Sequence, residues 1–135
     1  MRRLRANRSG AAALEFALVA PMLITFLWGI VSYAGYFLTA HTLQQIANDA
    51  ARASIAGLDF DERRKLVEEC VAKEAASYAV FFKQPVSVSV LADGSWLAVH
   101  VSYDASNNPF WAFGSLAAMP SSQVTRSGMV MLGGY

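Results

Sequence analysis

The sequence predicts an α+β chain with a long N-terminal helix, a second amphipathic helix and a small antiparallel sheet of about three strands. Three observations predict it. A 25-residue uncharged run, residues 16–40, follows a basic leader. Residues 59–82 then repeat apolar side chains at helical spacing, and residues 86–103 alternate them with period two around Asp93-Gly94. At 135 residues the chain has room for one small folded domain, and its 55% hydrophobic content is concentrated towards the N-terminus.

The first element begins after a leader that carries Arg2, Arg3, Arg5 and Arg8 and no acid. Phe16 to Ala40 as a helix would extend about 37 Å, against a hydrocarbon core of roughly 30 Å. The run is therefore expected to span a membrane, at about residues 16–40. A secretory signal core has only about 7–15 apolar residues, and "LTA" before His41 is a weak signal-peptidase site. Four arginines ahead of the span put the leader in the cytoplasm and residues 41–135 across the bilayer. Trp28 falls mid-span, while Tyr33 and Tyr36 approach the far interface, where amphipathic rings are favoured. Pro21 cannot donate a backbone hydrogen bond and is expected to kink the helix. Gly29 and Gly35 leave thin places where another helix could approach, although glycine is in any case common in spanning helices.

Helical periodicity continues beyond the apolar run, through Leu43, Ile46, Ala47, Ala50 and Ala53, to about Ala56. Asp49 can pair with Arg52 one turn on, and Gly57 suits a helix end. The second helix starts at Asp59, with Glu62 three residues later in a variant of the capping box. Its stripe is Leu66, Val67, Cys70, Val71, Ala75, Tyr78 and Ala79, with Arg63, Lys65, Glu69 and Lys73 opposite as a solvated face. Pro85 breaks the helical pattern. Val86, Val88 and Val90, then Leu97, Val99, Val101 and Tyr103, form one apolar hairpin face, with Ser87, Ser89 and Ser102 on the other. "QVTRSGMVML" could add a third strand, which a stable small sheet needs. Phe110, Trp111 and Phe113 in the intervening loop are read as packing beneath it in preference to forming an exposed patch.

Little of this points to chemistry. The one basic cluster precedes an apolar segment and reads as a topology signal, so no nucleic acid is expected. Cys70 is the single cysteine, best read as a small buried hydrophobe. His41 and His100 are far apart, no metal-ligand spacing or phosphate loop occurs, and no nucleophile is placed beside a base. No enzyme, metal or cofactor is expected.

Glu15 remains to be explained, the only acid among the first 48 residues. A basic leader ending in Gly10, small Ala11, then Glu15 fifth after the glycine and Pro21 within the apolar helix resembles a class III prepilin signal. The wording "GAAALEFALVAPML…GI…AGYFLTAHTLQQIANDAARAS" is similar to TadE-like proteins (TadE and TadF, between which the sequence does not decide), minor pilins or pseudopilins of tight-adherence (Flp) pili. That resemblance implies a pilin-like layout: leader 1–10, helix 11–58 and a small periplasmic or extracellular α+β domain 59–135 of a bacterial inner-membrane protein. It implies cleavage between Gly10 and Ala11 by a prepilin peptidase. Its other implied partners are the lipid bilayer, major and minor pilins and the inner-membrane platform, in assembling pili for adherence and biofilm formation. Glu15 would then pair with the new Ala11 ammonium, because a charge at the edge of hydrocarbon is costly unless paired. Phe16 stands where the major pilin usually has tyrosine, and a folded domain is attached, both of which favour a minor component. Two rivals stay open: an uncleaved signal-anchored protein with a sensory or scaffold domain, and a type II secretion pseudopilin.

Overall fold

The computed structural model describes residues 8–112 and 119–133. Leader residues Arg2, Arg3 and Arg5, and Phe113 of the aromatic loop, lie outside the described residues. The elements follow in the order α1 (Arg8–Ala53), a 3-10 turn (Ser54–Ala56), α2 (Phe60–Ser77), β1 (Ser87–Asp93), β2 (Trp96–Asp104), a second 3-10 turn (Pro109–Trp111) and β3 (Gln123–Met131). The sheet is antiparallel with order β1-β2-β3, and both helices cover one of its faces.

At 46 residues α1 is about 70 Å long, and its two halves have different surroundings. From Leu14 to Leu38 its large apolar side chains stand exposed, Met22 at 78% and Phe16 at 73%. Such a surface has no favourable place in water but is at home in lipid. Farther along, Ala40, Leu43, Ile46, Ala47, Ala50 and Ala51 are buried in the core with Leu97, Val99, Val101 and Tyr103 of β2 and Val124 of β3. Each fully buried Leu, Ile or Val side chain there contributes about 1.5–3 kcal/mol. The alanines let backbones approach closely. Gly128 of β3 carries this furthest, since a Cβ there would collide with the Ala47 carbonyl.

The second helix starts as its sequence predicts. The Glu62 amide donates to Asp59 Oδ1 at 2.8 Å, and Glu62 Oε2 accepts from the Leu58 amide at 2.8 Å. Val67 and Val71 are buried, with Leu66, Cys70, Ala75 and Tyr78 half-buried beside them. Two expectations need correcting. The helix ends at Ser77, well before Pro85, with Tyr78 as its cap. Residues 78–82 instead form hydrogen-bonded turns that aim Phe82 at Tyr103, ring centroids 4.8 Å apart. Arg63 is also not part of a freely solvated face: it is half-buried, and its Nε donates to the Gly57 carbonyl at 2.9 Å, closing the α1–α2 corner.

The hairpin pairs Asp93 with Trp96 across Gly94-Ser95, and Gly94 has φ +48°, a conformation that favours glycine. Leu97, Val99, Val101 and Tyr103 face the helices, as the alternation predicts, while Ser87, Ser89, His100 and Ser102 pair up on the outer face. The third strand forms in full and pairs with β2 from Asp104↔Gln123 to Trp96↔Met131.

Candidate functional site

Gly10, Ala11 and Glu15, singled out by the sequence, lie in the first turns of α1. Gly10 and Ala11 are helical and exposed, and nothing stands within 4 Å of where a Gly10 Cβ would be. Arg8 opens the helix. Glu15 is exposed, one helical turn beyond Ala11, a rise of about 6 Å. Helical side chains lean towards the N-terminus, so the Glu15 carboxylate projects back to the level of Ala11. Among the described residues the Glu15 side chain has no hydrogen bond or ion pair. This end of the protein is an apolar rod with one carboxylate near its tip.

Pro21 sits inside α1, which continues through it as one helix. The Thr25 hydroxyl donates to the Pro21 carbonyl at 2.9 Å, a back-bond of the kind that bends helices slightly. The two glycines fare differently. Nothing lies within 4 Å of a Gly29 Cβ position, whereas Gly35 is buried under the ring of Phe110. The neighbour that Gly35 admits is thus the chain's own loop.

That contact is what sequence reasoning missed. The Pro109–Trp111 turn seats on α1 inside the apolar run, with Phe110 on Gly35 and Trp111 edge-on to Tyr36, centroids 6.1 Å apart. On this side α1 is buried from Ser32 onward, so the span expected at 16–40 and the folded domain overlap along one helix face. Asn108, 4% exposed, holds the loop: its Nδ2 donates to the Phe81 carbonyl at 3.1 Å and to Tyr103 Oη at 3.4 Å. Tyr103 Oη also accepts from the Lys83 amide at 3.0 Å. The one available signal was a glycine within an apolar helix and a distant aromatic cluster of matching size.

Elsewhere the chemistry is sparse. Cys70 is half-buried, and its Sγ approaches Glu74 Oε1 at 3.8 Å. Burial and the neighbouring Glu74 and Asp49 carboxylates push the thiol above its usual range, while burial and Asp49 also raise Glu74. A thiol held protonated is a poor nucleophile. Asp104 is held below the usual carboxylate range by the Ser106 amide, which donates to its Oδ1 at 2.9 Å. No group of three or more His, Cys, Asp or Glu is placed to hold a metal among the described residues.

Among the described residues one helix is long and apolar enough to cross a membrane, with its most apolar window unburied by the other described residues. Residues 10–52 match the TadE-like protein family. The N-terminal helix is TadE-like. The matched segment runs from Gly10 to the last turn of α1, and so takes in the bare half and nearly all of the half built into the domain. The likeness is confined to these residues of α1, about a third of the chain. No curated protein and no solved structure matches the chain.

Proposed function

We propose that this protein is a minor pilin, or pseudopilin, in the assembly of Tad (Flp) pili that serve adherence and biofilm formation. It is inserted in the bacterial inner membrane with the leader inside and the α+β domain in the periplasm, cut between Gly10 and Ala11 by a prepilin peptidase, and assembled with the major and minor pilins and the inner-membrane platform. The observation that carries this reading is the division of α1: a bare apolar half bearing Gly10, Ala11 and Glu15 at its tip, and an opposite half built into a compact domain. A signal anchor needs the bare half but has no use for a carboxylate at its head.

Cleavage gives the helix a new start. The Ala11 ammonium would sit at the membrane edge, one turn from Glu15, and would pair with that carboxylate or with one on a neighbouring helix. A pair between neighbours fixes the axial register of two rods that are otherwise free to slide, because lipid-facing apolar surface has no directional preference. The leader arginines Arg2, Arg3, Arg5 and Arg8 hold the cut site at the cytoplasmic face until the peptidase acts.

The experiment is the intact mass of the protein purified from host membranes. The expected chain begins at Ala11, and Gly10→Leu leaves the precursor uncut. A wild-type chain that begins at Met1 overturns the proposal in favour of an uncleaved anchor.

A further inference from the structure

We propose that the Pro109–Trp111 turn is a second membrane contact, with Phe110 and Trp111 resting in the outer interface of the bilayer that α1 crosses. The inference rests on the membrane-spanning reading of α1 and adds a lipid-binding surface on the folded domain.

The level follows from helix arithmetic. Trp28 is the midpoint of the uncharged run from Phe16 to Ala40. Gly35 and Tyr36 lie seven and eight residues further on, about 11–12 Å along the axis. Half a hydrocarbon core is about 15 Å, and tilt only shortens the projection. A core of about 20 residues counted from Phe16 ends at the same place. The first count puts Gly35 and Tyr36 about 3–4 Å inside the boundary between acyl chains and headgroups and the second puts them at it, and Phe110 and Trp111 are fastened to these two residues.

The chemistry suits that level. Both rings are only half-buried, each with one side against α1. Phe37 on the adjoining surface is 64% exposed. Tryptophan is enriched at this depth because its ring is amphipathic. No charged residue occurs between Asp104 and Arg126, so the chain around the turn has no charged side chain that resists approach to lipid. Asn108, tied to Phe81 and Tyr103, makes the turn a rigid part of the domain. Two points of contact, the helix and the turn, would set the height and the tilt of the domain on the membrane.

Three tryptophans serve as depth gauges: Trp28 mid-span, Trp111 in the turn and Trp96 beside the hairpin tip. Full-length chains that retain one tryptophan, the others replaced by Phe, are reconstituted in vesicles of phosphatidylethanolamine and phosphatidylglycerol. The lipids carry a nitroxide at a shallow or a deep acyl position. Trp111 should be quenched more by the shallow label than by the deep one, Trp28 in the reverse order, and Trp96 by neither. Trp28 quenched by the deep label while Trp111 responds to neither overturns this inference and leaves the span standing. Trp111 quenched mainly by the deep label also overturns the interfacial placement. Trp28 insensitive to both removes the span and the inference together. Should the double substitution unfold the domain, the Trp111 signal is taken as the difference between the wild-type chain and Trp111→Phe.

Discussion

Gly128→Ala decides whether α1 and β3 meet backbone to backbone. In most strands this substitution would stabilise by about 0.4–1 kcal/mol, because alanine restricts the unfolded chain. Here the sign reverses. The new methyl would stand 2.7 Å from the Ala47 carbonyl carbon and 2.9 Å from the Asn48 nitrogen, both main-chain atoms that cannot swing aside. Reaching ordinary contact at about 3.5–4.0 Å requires β3 to lift from α1 by about 1 Å. The same strand is tied to α1 through Gln44 Nε2, which donates to the Ser127 carbonyl at 2.8 Å, so lifting strains that bond too. Overpacking of this kind costs about 1–3 kcal/mol, which leaves a net loss of about 1–2 kcal/mol once the chain-entropy gain is subtracted. For a domain of this size that lowers Tm by roughly 5–15 °C. The assay is thermal unfolding of the full chain in detergent, followed by near-ultraviolet circular dichroism in a Trp28→Phe background, so that the tryptophan signal comes from Trp96 and Trp111 of the domain. Ser127→Ala, exposed on the opposite sheet face, is the control and should stay within about 0.5 kcal/mol of wild type. A Gly128→Ala chain that melts at or above the wild-type temperature would refute the close approach of β3 to α1.

Three further outcomes are expected. Glu15→Ala should insert normally and be cut, yet fail to co-purify with pilus components, because leaving one partner of a buried pair alone costs roughly 3–5 kcal/mol; wild-type recovery, with normal surface pili, would mean a solvated carboxylate worth about 0–1 kcal/mol. Asp59→Ala removes the acceptor for the Glu62 amide and should lower stability by about 1 kcal/mol, measured by denaturant unfolding, with Asp59→Asn close to wild type. Glu74→Gln should raise Tm at neutral pH. Burial first and Asp49 second raise the Glu74 pKa in the folded state. Its protonated form is therefore favoured by folding, and the stability it lends at low pH is lost as pH rises through that raised value. The advantage of glutamine should accordingly shrink as pH falls through the usual carboxylate range, and a pH-independent difference would contradict the assignment.

The legible parts of this protein are those whose signal is local. Apolar periodicity placed α1 and its continuation past the membrane run, Asp59 and Glu62 placed the start of α2, and strict alternation around Asp93-Gly94 placed the hairpin and its buried face. The order Gly10, Ala11, Glu15 was likewise visible as a string, and residues 10–52 match the TadE-like family on the same helix. Where partners are distant in sequence, the string is silent. Nothing in Pro85 tells the helix to stop at Ser77; what stops it is the demand that Phe82 reach Tyr103 and that the Phe81 carbonyl meet Asn108. Gly35 reads as a site for a neighbouring helix until the tertiary fold brings Phe110 onto it, and Gly128 reads as a weak point in a strand until Ala47 fills the space beside it. Hydrophobic period and capping are encoded within one or two turns of chain, so the sequence alone determined the elements. Close approach depends on which surfaces meet, and only the tertiary structure decided that the domain is built on the C-terminal half of α1 with its aromatic turn at the edge of the apolar run.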